Sequence, residues 1–246
     1  MTKNCLNCEK KVEGNFCKNC GQKTSTHRFS LTHFFLHDFI HGIFHVDEGI
    51  FFTLKKLFTN PGNSIRNYVQ GKRVGFFNSF TLIVLLITTN HLIRLFFHVD
   101  LSVLHEDKDR VIGYLRVAEN FDKFIKLFGV PFYAIFSYLL FIKTKQNYTE
   151  NLVLNMYATV GILTINVLFS LFLVIINNIF WLNIFRNIFI IISISYFFWF
   201  YYQYFSVFEY KKFSLLMRCF LMTIFTLVIK YSIDIMVSKI GLVYFL

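Results

Sequence analysis

From residue 76 to the end, the chain consists largely of apolar segments long enough to cross a bilayer, and this limits its fold more than any other feature. The hydrocarbon layer is about 30 Å thick and takes about 20 residues of helix to cross. Five segments reach that length, at 77–98, 124–142, 152–176, 179–203 and 215–236. Lipid offers the backbone no hydrogen-bond partner, so each segment is predicted to be a helix that satisfies its own backbone. The third and fourth meet at Asn177-Asn178, which predicts a helical hairpin. Composition agrees. Of 246 residues, 55% are hydrophobic and 34 are Phe. Charged residues are 16%, against about 25% in an ordinary soluble domain. One soluble core of this size could not hide so much apolar surface.

The first 28 residues are of another kind. Cys5-x2-Cys8 and Cys17-x2-Cys20 are two knuckles separated by eight residues. A Cys-x2-Cys turn aims two sulfurs at one point, and two such turns supply the four thiolates of a tetrahedral zinc site. A closed four-thiolate site has no open coordination position, so Cys5, Cys8, Cys17 and Cys20 are expected to hold structural Zn2+ rather than a catalytic ion. Gly21 follows the second knuckle and can take a left-handed backbone. Glu9 holds the same place after the first, which makes that knuckle less ideal. Disulfides are the alternative, disfavoured on a reducing, cytoplasmic side. Cys219, alone in the last span, reads as a small buried apolar residue.

Residues 29–75 form a His-rich, amphipathic juxtamembrane region, interrupted at Asn60-Pro61-Gly62. Pro61 disfavours helix at Asn60. A short helix is expected over 63–70 with Ile65, Tyr68 and Val69 on one face. His33, His37, His41 and His45 recur every four residues, which returns them to nearly one helix face, and Asp38 joins them. All four histidines cannot share an ion, because His33 and His45 lie about 18 Å apart along a helix axis. The candidate second metal set is Asp38, His41 and His45, with His37 as a further ligand and Glu48 as ligand or catalytic base. The competing interpretation is a solvated polar face on a helix lying at the membrane surface.

Charge fixes a sidedness. The net charge is +11, and residues 1–75 carry 11 of the 25 Lys/Arg but 5 of the 14 Asp/Glu. With the N-terminus in the cytoplasm, Lys143, Lys145, Lys211 and Lys212 also fall inside, and the acidic 99–123 loop falls outside. An odd number of spans then sends the C-terminus outside. The N-terminal residues contain no apolar stretch of the kind found in a cleavable signal peptide. Nucleic acid is disfavoured as a partner, since no Arg/Lys-rich helix follows the knuckles. Within the spans, Asn90, Arg94, Asn155, Asn166, Arg186, Lys230 and Asp234 are expected mainly to glue helices together or to snorkel.

The double knuckle ending Cys17-Lys18-Asn19-Cys20-Gly21-Gln22 is followed by His27-Arg28, His37-Asp38-Phe39-x-His41, Asp47, Gly49, Thr59-Asn60-Pro61-Gly62 and Tyr68-x2-Gly71-Lys72-Arg73. In order and spacing this run resembles an uncharacterised bacterial membrane-protein family, domain of unknown function 3667. The resemblance covers about a third of the chain and implies a bacterial inner-membrane protein with a cytoplasmic zinc-ribbon head. It implies no activity.

The expected fold is therefore an all-α integral membrane protein with about five transmembrane helices over 76–246. A small four-cysteine zinc ribbon over 1–28 and an amphipathic interfacial region precede them. The leading expectation is a non-enzymatic docking or scaffold platform, held against anionic lipid by Lys55, Lys56, Arg66, Lys72 and Arg73 and engaging other membrane or envelope proteins. Self-association into an oligomer is compatible with this. One alternative is a membrane-embedded metalloenzyme using Asp38, His41, His45 and Glu48. Another is a small transporter, which requires Asn90, Arg94, Lys230 and Asp234 to face one cavity. The absence of an internal repeat argues against transporters built from duplicated halves.

Overall fold

The computed structural model describes residues 3–31, 49–97, 117, 125, 127–176 and 178–244. These residues form an N-terminal two-stranded ribbon and a helical bundle. The strands are β1 (Lys3–Asn4) and β2 (Lys11–Val12), antiparallel with Lys3 opposite Val12. The helices are α1 (Gly49–Thr59), α2 (Pro61–Val69), α3 (Ser79–Phe96), α4 (Leu127–Leu140), α5 (Tyr148–Ile175), α6 (Ile179–Phe205) and α7 (Lys212–Tyr244).

Four of them, α3, α5, α6 and α7, are long and apolar enough to cross a membrane. The second expected span, 124–142, corresponds to the shorter apolar helix α4. A 3-10 turn at Ile142–Thr144 follows it and closes with Lys145 in a left-handed conformation, φ 56°. The guanidinium of Arg218, on α7, takes the Leu140 carbonyl at its last turn.

Local sequence sets the other boundaries. Asn60 sits at φ −152°, outside the helical region, and Pro61 opens α2, where its missing N–H costs nothing. Gly71, at φ +110°, ends the chain's run through α2. Asn78 caps α3 by accepting from the Phe80 and Thr81 amides at 2.9 and 3.2 Å. Helix α5 begins at Tyr148 rather than 152, because Asn147 and Glu150 form a reciprocal capping box. Asn178 caps α6, so α5 and α6 pack as the expected hairpin. Helix α7 exceeds its expected limits at both ends, since polar Ser238 and Lys239 lower hydropathy without breaking a helix.

Helix α5 is the centre. Every residue from Thr149 to Gly161 is buried, with α1, α2, α3 and α6 packed around the helix. This all-round enclosure explains why its apolar residues show no one-sided periodicity. Gly161 lies against the Tyr196 ring, where a Cβ has no room. Helices α6 and α7 instead present Trp181, Ile191, Val228 and Tyr231 outward, as a lipid-facing surface would.

Helices α3, α5 and α7 start at the ribbon end of the bundle, and α4 and α6 finish there. Phe141 after α4 stacks on Phe205 at 3.5 Å, and Gln146 donates to the Tyr204 hydroxyl at 2.7 Å. The expected face of α2 is real: Ile65 and Val69 are buried, and Tyr68 packs against the same cluster, which also holds Leu57 of α1 and Phe29.

Candidate metal centre and its dock

The two knuckles are built alike. After the first, the Cys5 amide donates to the Lys10 carbonyl and the Glu9 amide to the Cys5 carbonyl, both at 2.9 Å. After the second, the Cys17 amide donates to the Gln22 carbonyl at 2.8 Å and the Gly21 amide to the Cys17 carbonyl at 2.9 Å. Both turns need a left-handed residue in the same place, supplied by Gly21 at φ 74° and by Glu9 at φ 63°. An L side chain is disfavoured there by roughly 1–2 kcal/mol. The first knuckle therefore carries the imperfection expected from its sequence.

The four sulfurs converge. Cys5 Sγ lies 3.6 Å from Cys20 Sγ, and Cys8 Sγ lies 3.6 Å from Cys17 Sγ. All four fall within 4.8 Å of one another. A tetrahedron with thiolates about 2.3 Å from its centre has edges of about 3.8 Å, so the spacing fits one metal ion. Cys5 and Cys17 are buried and the other two half-buried. The Asn7 amide donates to Cys5 Sγ at 3.4 Å, which favours the thiolate.

Their acidities diverge for physical reasons. The Lys10 backbone amide, helped by the neighbouring thiols of Cys17 and Cys20, holds the Cys8 thiol down to about 6. Cys5 is likewise lowered, first by the Cys8 backbone amide. For Cys20 the Gln22 amide pulls downward, but desolvation and the sulfurs of Cys5 and Cys8 outweigh it and push the thiol up to about 11. Negative charge on the first sulfurs resists ionisation of the last. A cation between them removes that conflict.

The ribbon is fastened to the bundle. Gln22, two residues past Cys20 and buried, donates through Nε2 to the Gly71 carbonyl at 2.8 Å and accepts from the Arg73 amide at 3.1 Å. Leu6 of the first knuckle packs at Gly71, where a Cβ would come within 2.8 Å of its Cδ1. Arg73 donates to the His27 carbonyl at 2.9 Å and lies over the Phe29 ring, 3.7 Å from its centroid. Arg28 grips Glu150 with both prongs, at 2.6 and 2.7 Å, and adds the Lys145 carbonyl at 2.7 Å. Glu150 is thereby buried at the first turn of α5 with its charge matched.

Motifs that are separate in sequence thus meet in space: Cys20-Gly21-Gln22, His27-Arg28 and Gly71-Lys72-Arg73. Neither Gln22 nor Glu150 is expected from sequence as a docking residue. Asn147-x2-Glu150 ahead of an apolar run is a helix-start signature and could have flagged Glu150. His33, His37, Asp38, His41, His45 and Glu48 lie outside the described residues. Arg66 and Arg73, expected to face lipid headgroups, instead bind backbone carbonyls.

Two of the intramembrane polar residues join helices. Asn155 is fully buried, donates to the Ser137 hydroxyl at 2.9 Å and accepts from the Tyr201 hydroxyl at 2.8 Å, so it ties α4, α5 and α6 together. Ser170 donates to Asn90 between α3 and α5. Lys230 is exposed on α7, whereas Asn90 is buried between α3 and α5. Cys219 is buried, as its sequence context implies.

Residues 47–89 match the family described as "Protein of unknown function (DUF3667)". The match runs through α1, α2, Gly71-Lys72-Arg73 and the first half of α3, and so covers the Gly71–Arg73 part of the dock but not Lys145, Asn147 or Glu150. No curated protein and no solved structure matches the chain.

Proposed function

We propose that this protein is a multi-pass membrane protein whose cytoplasmic zinc ribbon forms a docking platform for other membrane or envelope proteins in a bacterial inner membrane. The observation that carries this is the dock itself. A metal-ready ribbon is fastened to one end of the bundle, with Phe16 and Leu31 exposed. Zinc is the ion that four convergent thiolates favour.

The cytoplasmic assignment draws on the bundle's sidedness. Lys143 and Lys145 lie in the joint between α4 and α5, where the Lys145 carbonyl meets Arg28 of the ribbon, and Lys211 and Lys212 lie where α6 gives way to α7. By the positive-inside rule, lysines at the ribbon end support a cytoplasmic position for it. Helix α1 supports an interfacial position. It exposes Phe51 (82%) and Phe58 with Lys55 between them, about a turn apart, while Thr53 and Leu57 face the bundle. Aromatic rings set into the acyl boundary with lysines at the headgroups is how such a helix lies in an interface.

Metal content of the purified, detergent-solubilised chain tests the reading. One zinc per chain, unchanged by His41→Ala/His45→Ala, supports a platform with a single structural site. Two metals falling to one in that variant would replace it with the metalloenzyme reading.

A further inference from the structure

We infer that the metal site operates a latch: loading of the four cysteines holds Gln22 against the Gly71–Arg73 loop, and loss of the ion releases that loop while Arg28 keeps the ribbon tethered to α5. The inference goes beyond the platform reading, and it rests on that reading's ribbon holding a metal.

Three observations carry it. First, the ribbon has almost no core of its own. In residues 4–31 only Cys5, Cys17, Gln22 and Phe29 are buried, and Leu6 and Phe16 are exposed. Strands of two residues and so little buried apolar surface cannot hold the knuckles without a cross-link, so metal binding supplies their folding free energy. Second, the first half of the dock comes from inside a knuckle. The Gln22 carbonyl accepts from the Cys17 amide, and its side chain spans Gly71 and Arg73. Gln22 can be aimed only while that turn is closed. Leu6, between the first two ligands, also packs on Gly71. Third, the other half of the dock lies outside the knuckles. The forked Arg28–Glu150 pair and the Asn147 side chain, which donates to the Phe29 carbonyl at 2.8 Å, use residues beyond the last ligand.

The two halves meet at Arg73. Its amide is held by Gln22, and its guanidinium reaches the His27 carbonyl and the Phe29 ring. When the knuckles open, Arg73 loses its amide partner. The loop from Gly71 to Phe77 leads directly into α3, so the metal state is passed to the start of a span.

Hydrogen exchange on the full-length protein in lipid nanodiscs tests this, with metal counted in every sample. Chelation that empties the site should speed exchange of the Arg73 amide, read from peptides covering 71–77, by at least tenfold. Amides of 147–151 and of mid-α7 should change by less than twofold. Gln22→Ala should keep its metal and still show the fast 71–77 exchange, because only the side chain that spans the dock is gone. The latch is overturned if the metal leaves and 71–77 stays within twofold of the loaded protein, or if metal-loaded Gln22→Ala exchanges like wild type. A chain purified without metal would instead overturn the ribbon's metal-binding reading, which the metal count reveals before any exchange is measured.

Discussion

The Gly62 amide donates to the side-chain oxygen of Gln203 at 2.9 Å, across 141 residues of sequence, and joins the start of α2 to the end of α6. The joint is reciprocal. Arg66, one turn along α2, donates to the Gln203 and Tyr204 carbonyls, both at 3.0 Å. Gln203 satisfies an orphan amide at one helix start, and Arg66 satisfies orphan carbonyls at another helix end. Burial of Arg66 lowers its pKa, a cost that the carbonyl dipoles of the α6 terminus offset.

Gly62→Ala should damage this joint. A Cβ there would press on the α6 backbone at Phe200, Gln203 and Tyr204, with Gln203 C at 2.7 Å. Backbone cannot move aside as a side-chain tip can. Overpacking of this kind costs about 1–3 kcal/mol. The expected result is a lower melting temperature of the purified protein, and an unchanged one would show that α2 can lift away from α6.

The sequence made some of this legible. Five apolar segments, the break at Asn60-Pro61-Gly62 and the four cysteines each follow from rules that act within a few residues. Gly62 could be read as a turn glycine, but not as the seat of an α6 terminus, because a contact spanning 141 residues leaves no local mark. Glu150 was hidden for a similar reason, since its partner Arg28 lies 122 residues away. The arginines deceived more simply. Lysine and arginine count alike in a positive-inside sum, yet the planar guanidinium of Arg28, Arg66, Arg73 and Arg218 is used here to bind backbone carbonyls.

That division of labour predicts which charges meet lipid. Replacing Lys55, Lys56, Lys143 and Lys145 together by Gln should leave the fold intact, because none of these side chains holds a backbone carbonyl in the joints described above. It should reduce the anionic phospholipid that co-purifies with the protein, in a salt-sensitive way, since each basic residue near such a surface contributes about 1 kcal/mol. Wild-type lipid retention by the fourfold variant would show that these lysines do not face headgroups.

Tyr201→Phe probes the bundle's interior. The Tyr201 hydroxyl is the donor to Asn155 Oδ1, and both residues are fully buried. Removing the hydroxyl leaves that oxygen unpaired while ring packing is kept. Bonds between membrane helices average about 0.6 kcal/mol and reach about 1.7. Tyr201→Phe should therefore lower stability modestly, by about 1 kcal/mol. Tyr201→Phe/Asn155→Leu should be less stable than the single variant, because it also removes the buried bond from Asn155 to the Ser137 hydroxyl between α5 and α4. A double variant as stable as the single would show that the Asn155–Ser137 bond adds nothing to the α4–α5 contact.

Glu9→Gly offers a gain rather than a loss. Glu9 is held at φ 63°, in the position where the second knuckle has Gly21 at φ 74°. Its side chain is 82% exposed and reaches Lys72 at 3.8 Å, a surface pair that contributes between nothing and about 1 kcal/mol. Glycine relieves the left-handed penalty of roughly 1–2 kcal/mol, less its own greater entropy loss on folding. A net improvement of about 0.5–1 kcal/mol corresponds to metal held roughly 2- to 5-fold more tightly. Competition with a chromophoric chelator on the purified protein reads this directly. Weaker binding by Glu9→Gly would mean that the Glu9–Lys72 contact matters more to the closed knuckle than the strain at Glu9.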